Sequence, residues 1–294
     1  MSNYATNQDF FDYLKSKKEN KTEKPVKKQN LDLKNYLNIK LGKDESMKKI
    51  VIRLLPISKD NMTNFVEVYT HMVKIDGKWK SFICLEKTEQ IDHEKLGNKC
   101  PFCELNQQFW AEWRNADNET KKKVYQTKAN EYQANQSIIC RLIERGKEED
   151  GPKFWKFNVS KKGDGPMDAI QDLAMSRAEN GIDIFDLENG YDLEITVKKQ
   201  KKSNGDEQTI ISSIFDKVKR PLSENKEIFD SWVNDEKEWN DVFTAKPYEY
   251  MDLMLNNKTP WFDKQTQKWI EKPSNQIIPT NTGQSTNKED DVPF

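Results

Sequence analysis

Four residues carry the sharpest chemical signal in the chain: His71, Cys84, Cys100 and Cys103, spaced H-x12-C-x15-C-x2-C. Imidazole nitrogen and thiolate sulfur are the donors that Zn²⁺ takes in a closed, four-coordinate structural site. Cys100-Pro101-Phe102-Cys103 supplies the tight thiolate half, and the other half depends on a hairpin. Asp76-Gly77 is a two-residue turn signal between strand-like segments at 65–75 and 78–84, and such a turn pairs Ile75 with Lys78. Counting outward, His71 lies opposite Phe82, and Cys84 shares that face as a diagonal neighbour. Other readings stay open at this point. A C-x2-C pair also serves as a redox dithiol, His71 also fits an ordinary surface histidine, and His93 is a second candidate for the nitrogen ligand. A catalytic zinc keeps an open position, and the deaminase pattern H-x-E with P-C-x-x-C is absent, so the expected role of the ion is structural. Cys140, inside the apolar run 138–143, reads as a buried core thiol.

The elements that must hold these residues are mostly strands. Short segments with strand character occur at 50–55, 65–75, 78–84, 137–143, 153–159, 191–198 and 208–215. The clearest is Leu193-Ile195-Val197 alternating with Asp192, Glu194, Thr196 and Lys198, the period of a half-buried strand. Helical insertions interrupt them. Residues 104–114 have helical composition; 164–179 begin with an Asp cap and Pro166 and stop at Gly181; 224–243 place Ile228, Trp232, Trp239 and Phe243 on one stripe. The expected fold class is mainly β with helical insertions.

A length of 294 residues suits one large domain or two modest ones. Hydrophobic residues make up 35% and charged residues 33%, so solvated arms are expected beside the core. No apolar run approaches the ~18 residues of a membrane helix, and residues 1–20 lack the apolar stretch of a secretory signal. Four cysteines are too few for a disulfide scaffold in so long a chain. The net charge of -1 hides an uneven layout: residues 1–30 carry +3, 31–221 carry +2 and 222–294 carry -6. We divide the chain into a basic N-terminal arm (1–30), a β core (31–221) with a zinc subdomain at about 65–115, an acidic helical region (222–272) and a flexible acidic tail (273–294). A cationic body suits an anionic polymer and an acidic end suits a basic partner; a merely solvated surface is the plain alternative.

Several stretches, in order, resemble the single-stranded DNA-binding (helix-destabilising) protein of T-even-type phages, the product of gene 32. They are Val51-Ile52-Arg53-Leu54-Leu55-Pro56, then Asp76-Gly77-Lys78-Trp79 between the first two metal-type residues, whose x12 spacing is kept. Tyr132-Gln133-Ala134-Asn135, Lys153-Phe154-Trp155-Lys156-Phe157 with Lys161-Lys162, and Leu193 to Lys199 follow, so the likeness covers roughly residues 45–245. The resemblance implies an OB-fold core with one structural Zn²⁺ and sequence-tolerant binding of single strands in phage DNA replication, recombination and repair. It also implies no enzymatic activity, no membrane, and a location in the cytoplasm of the infected bacterial host. Three features depart from the family pattern. The gap before Cys100 is longer and carries His93; the N-terminal basic motif for cooperative self-association on DNA is absent, with Lys15-Ser16-Lys17-Lys18 its nearest echo; and the end, Asp290-Asp291-Val292-Pro293-Phe294, looks like the tip of bacterial single-stranded DNA-binding proteins. That tip implies docking of replication and recombination proteins.

An OB-type groove neutralises phosphates with Lys and Arg and stacks bases on rings. The expected phosphate contacts are Arg53, Lys74, Lys156, Lys161, Lys162, Lys198, Lys199, Lys201 and Lys202, and the expected stackers are Trp79, Tyr132, Trp155 and Phe157. Trp155 and Phe157, two apart on one strand, face the core or the DNA together. The alternative function is a zinc-dependent nucleic-acid-processing enzyme, nuclease or primase-like, which needs carboxylates or a spare base beside the metal.

Overall fold

The computed structural model describes residues 35–58, 62–160, 162–201, 205–243 and 245–273. The expected arm at 1–30, Lys161, Lys202 and the terminal Asp290 to Phe294 lie outside them. The chain divides into two compact units, one of residues up to 67 with 137–242, the other of 68–136 with the residues from 243 onward. The acidic stretch 222–272 is therefore shared between units instead of standing alone.

The first unit is built on β1 (Met47–Leu55), β4 (Ala134–Glu144), β5 (Lys153–Asn158), β6 (Tyr191–Lys201) and β7 (Glu207–Lys219). All pairings are antiparallel: β1 joins β4 through Ile52–Glu144 to Leu55–Arg141 and β6 through Ile50–Ile195, β5 joins β4, and β7 joins β6. The β-branched and aromatic runs form these strands because pleated backbone presents such side chains to one face. Ile50, Ile52 and Leu54 of β1 meet Leu193, Ile195 and Val197 of β6 in one apolar cluster, joined by Cys140, Trp155 and Phe157. One helix, Pro166–Ala178, lays Ile170 into the same cluster. Gly165, not the expected Asp164, is the N-cap, its N–H donating to Asp168; Pro166 opens the helix and Gly181 at φ 71° follows its end, as expected.

The opposite face of β6 is where expectation and structure part. Asp192, Glu194 and Thr196 alternate with the apolar residues as expected, yet all three are buried. Their face is covered by cations. The Asp192 carboxylate accepts from Arg145 at 2.9 Å and from Arg220 at 2.5 Å, with Arg53 at 3.9 Å, while Glu194 pairs with Lys49 at 2.7 Å and with Lys217. Arg53 also donates to the Asp186 carbonyl. Burial pulls the Arg53 guanidinium down to about 10, with Asp192 acting against that shift. The loop bearing Asp186 closes tightly here, since a Cβ on Gly190 would stand 2.3 Å from the Asp186 carbonyl oxygen and 2.9 Å from Arg53.

Residues 224–243 form two helices, Lys226–Val233 and Trp239–Val242, instead of one. Arg141 satisfies acceptors where the first helix ends, donating to the carbonyls of Trp232 at 2.8 Å and Asp235 at 3.2 Å.

The second unit holds the hairpin of β2 (Phe65–Ile75, Val68 onward in this unit) and β3 (Lys78–Ile83), and the helices α1 (His93–Leu96), α2 (Pro101–Asn115), α3 (Glu119–Glu131) and α7 (Tyr248–Leu255), counting Pro166–Ala178, Lys226–Val233 and Trp239–Val242 as α4 to α6. Helix α3 was not anticipated, being polar all round with only Ala129 buried; Asn106 of α2 ties it down by donating to the Ala129 carbonyl at 2.6 Å. The hairpin β8 (Pro260–Asp263) and β9 (Lys268–Glu271) follows α7. No helix among the described residues is long and apolar enough to cross a membrane.

The Asp192 cluster gives a direct test of the fold. Asp192→Ala leaves Arg53 buried with its charge uncompensated, and the expected loss is about 3–5 kcal/mol of unfolding free energy, read from urea denaturation. An unchanged midpoint would mean that the buried carboxylate does not hold the sheet's polar face.

Candidate functional site

The β2–β3 hairpin has the expected register. Asp76 and Gly77, at φ 52° and 79°, make the two-residue turn, Ile75 pairs with Lys78, and His71 stands opposite Phe82. Cys84 extends the ladder one step by donating its N–H to the Tyr69 carbonyl at 2.7 Å, which brings its side chain onto the His71 face. The third and fourth residues come from the start of α2. Cys100 is its N-cap, Pro101 occupies the first helical position, and Cys103 lies one turn in.

These elements bring His71, Cys84, Cys100 and Cys103 together, all buried, with their ligand atoms within 4.8 Å of one another. Cys84 and Cys103 sulfurs are 3.5 Å apart, and His71 Nε2 lies 3.3 Å from the Cys100 sulfur and 3.6 Å from that of Cys103. Donors at about 2.0–2.3 Å from a tetrahedral ion stand roughly 3.3–3.8 Å apart, so the cluster has the dimensions to hold one metal ion. The Tyr132 carbonyl, 2.9 Å from His71 Nδ1, can only accept, which places the proton on Nδ1 and aims the Nε2 lone pair at the sulfurs. Hydrogen bonds from Cys103 and Cys84 draw the Cys100 thiol far down, and its place at a helix N-terminus favours the thiolate. Burial opposes a charged His71 ring, but the hydrogen bonds to Cys100 and Cys84 outweigh it and push the group up to about 9. Phe102 seals the site, its ring 5.3 Å from His71 and 5.1 Å from Phe82.

His93 is outside this cluster, with Nδ1 3.2 Å from the Gly97 carbonyl, so His71 is the nitrogen donor of the group. Cys140 is buried in the first unit's apolar cluster, as its surroundings in the sequence suggested. The four side chains of the metal cluster include no carboxylate.

The residues expected at DNA fall into two groups. Arg53 is fully buried against Asp192, and Trp155 and Phe157 are 2% and 7% exposed, their rings 4.4 Å apart inside the core. These three are buried side chains of the first unit. Strand β5 carries apolar side chains on both faces, with Phe154 as buried as Trp155, because residues 36–37 cover the strand, Leu37 N–H donating to the Phe154 carbonyl at 2.9 Å.

The second group is at the surface. Trp79 is 60% exposed and pairs across the hairpin with Lys74, on the face turned away from the metal cluster. Tyr132 is half-buried and stacks on Phe109, ring centroids 5.9 Å apart at 19°, with Lys128 over the Phe109 ring. Lys162, Lys198 and Lys201 are exposed; Lys199 is half-buried and donates to the Lys43 carbonyl at 2.8 Å. Lys156 is half-buried, and desolvation pulls its ammonium down to about 7. Phe109 and Lys128 escaped the sequence reading, because their partner Tyr132 was read without the helices that bring the three together.

No match was found among curated proteins. A protein-family model described as gp32 DNA binding protein like matches residues 47–251, a span that contains the whole His/Cys cluster and both surface lysine groups. More than two thirds of the chain lies in that match, and the chain belongs to the gp32-like family of DNA-binding proteins.

Proposed function

We propose that this protein coats single-stranded DNA with little sequence preference, through an OB-type core stiffened by one structural zinc ion. The reading rests on one coincidence within the family-matched span: a closed His-and-three-Cys cluster on one side of the β2–β3 hairpin, and an exposed ring-and-lysine pair, Trp79 and Lys74, on the other.

Zinc bound there supplies a cross-link between the hairpin and the start of α2. The protein's own residues do the rest. His71 binds through Nε2 while its Nδ1–H holds the Tyr132 carbonyl, so the metal cluster also fixes the backbone of a ring proposed to stack on bases. Trp79 and Tyr132 offer ring faces, and Lys74, Lys156, Lys162, Lys198, Lys199 and Lys201 offer point charges to phosphates. Burial disfavours the Lys156 ammonium, and a nearby phosphate would favour it. Arg53, Trp155 and Phe157 act from within the core of the first unit. Lys161 and Lys202 extend the same lysine runs. In this proposal the protein works in phage replication, recombination and repair in the cytoplasm of an infected bacterium. Its arm at 1–30 promotes cooperative self-association on DNA, and Asp290 to Phe294 recruit basic partners, with Phe294 filling an apolar pocket on them.

Two measurements test this. Purified protein is expected to contain one zinc per chain by elemental analysis; Cys84→Ser should lose it, lower the melting temperature and weaken DNA binding without eliminating it. Stoichiometric absence of zinc would remove the structural half of the proposal. The protein should also bind oligothymidine far more tightly than duplex, with affinity falling steeply as salt rises, and Trp79→Ala should cost about 1–3 kcal/mol of single-strand binding. Equal affinity for duplex would reject the functional half.

A further inference from the structure

The family match ends at Met251, inside α7, and the next ordered element is the β8–β9 hairpin. Its composition is unusual for a surface ribbon. Pairing places Trp261 opposite Ile270 on one face and Phe262 opposite Trp269 on the other, so both faces are apolar. None of its residues is fully buried, and Phe262 and Ile270 are among the exposed large hydrophobic side chains. A two-stranded hairpin is marginal alone. This one is fastened through Trp269, whose ring meets Tyr250 of α7 edge-on at 4.9 Å and Phe262 at 5.3 Å. The opposite face, with Trp261, has no such ring partner among the described residues.

Its charge is as distinctive. Residues 222–256 are strongly acidic, but the hairpin segment 257–272 carries four lysines against two carboxylates. Both carboxylates are engaged locally. Asp263 accepts from Thr266 Oγ1 at 2.7 Å and from the Gln265 N–H at 2.9 Å, hydrogen bonds that hold it below the usual carboxylate range, and Glu271 pairs with Lys258 at 2.8 Å. Lys264, Lys268 and Lys272 are exposed, with no carboxylate partner among the described residues.

A half-buried tryptophan without a ring partner among the described residues, beside unneutralised lysines, matches the chemistry of an unpaired nucleic-acid strand, which offers flat π-surfaces at the spacing of a phosphate chain. We propose that the β8–β9 hairpin is an accessory single-strand contact, in which Trp261 stacks a base and Lys264, Lys268 and Lys272 neutralise neighbouring phosphates. Its occupant is single-stranded DNA, chosen over a protein partner because the hairpin's charge opposes that of the acidic stretch before it and complements phosphate. The proposal rests on the DNA-binding reading above.

The test compares full-length wild type, Trp261→Ala and the triple variant Lys264→Gln, Lys268→Gln, Lys272→Gln on oligothymidines of about 8 and about 30 nucleotides, the shorter within the site size of one OB-type groove. On the longer strand Trp261→Ala should raise Kd by about fivefold or more, and the triple variant should reduce the salt slope by about 2, at about 0.7 per charge. On the shorter strand both should match wild type. The lysine variant changes only exposed side chains, so it reports even if Trp261→Ala loosens the hairpin. Wild-type affinity and slope for both variants on both strands would overturn the proposal while leaving the core reading intact. Failure of wild type to bind either strand would overturn both. Unchanged DNA binding with lost self-association in sedimentation would assign the hairpin to a protein contact, and so reject the DNA site.

Discussion

The constraint on which the second unit depends is that four soft donors, drawn from segments up to 32 residues apart, meet within 4.8 Å. Helix α3 buries one side chain, α1 buries none, and Cys84, Cys100 and Cys103 are themselves members of the unit's apolar cluster, beside Val73, Ile75, Phe82, Leu85, Phe102, Met251 and Met254. An ion bound here, as proposed, would replace the thiol protons and link the hairpin to α2. The Tyr132 carbonyl carries the effect outward, since it accepts from the ligand ring and belongs to a residue whose own ring stacks on Phe109.

The first unit solves the same problem differently. Its apolar face is conventional, but the other face of β6 is covered by arginines converging on one carboxylate, Asp192, which accepts from two of them and lies 3.9 Å from a third. Such a cluster is costly to bury, and it is stable only if every member is engaged, because one missing partner strands a charge away from water. The tight approach at Gly190 fits this demand. Arg53 needs the Asp186 carbonyl as well as Asp192, and a side chain at 190 would push that carbonyl aside.

These two devices explain what was legible in the chain. Period-2 alternation, the Asp76-Gly77 turn and the metal spacing are local signals, so the strands, the hairpin register and the His71 pairing follow from short windows. What escaped notice depends on distant partners. Nothing near Arg53 reveals that Asp192, far along the chain, will claim it, so a core arginine reads as a phosphate contact. Trp155 and Phe157 read equally as core or stacker until residues 36–37 are seen to close over β5. At the break at 234–238 Arg141, distant in sequence, meets the helix-end carbonyls, and α3 has no apolar stripe to declare it. The β8–β9 hairpin is short, opens with Pro260, and shows strand character only once Trp269 docks on Tyr250.

The division of labour between the two kinds of cation bears on how a strand is held. The sequence has six arginines among its 48 basic residues, and five of them, Arg53, Arg141, Arg145, Arg177 and Arg220, are pinned in the first unit by carboxylates or backbone carbonyls. The rigid guanidinium fork is thereby used where geometry must be fixed, inside the fold. Contacts left for the solvent side are overwhelmingly lysines, compact charges on flexible stems that follow a phosphate wherever it moves. A guanidinium fork in a groove would favour particular bidentate partners, including guanine edges, whereas lysines with ring faces discriminate little between bases. Arg53, Arg141 and Arg145 have buried side chains, while Arg177 and Arg220 are half-exposed and Arg114 is exposed, so the sequence tolerance proposed above rests on the predominance of lysine among the outward cations.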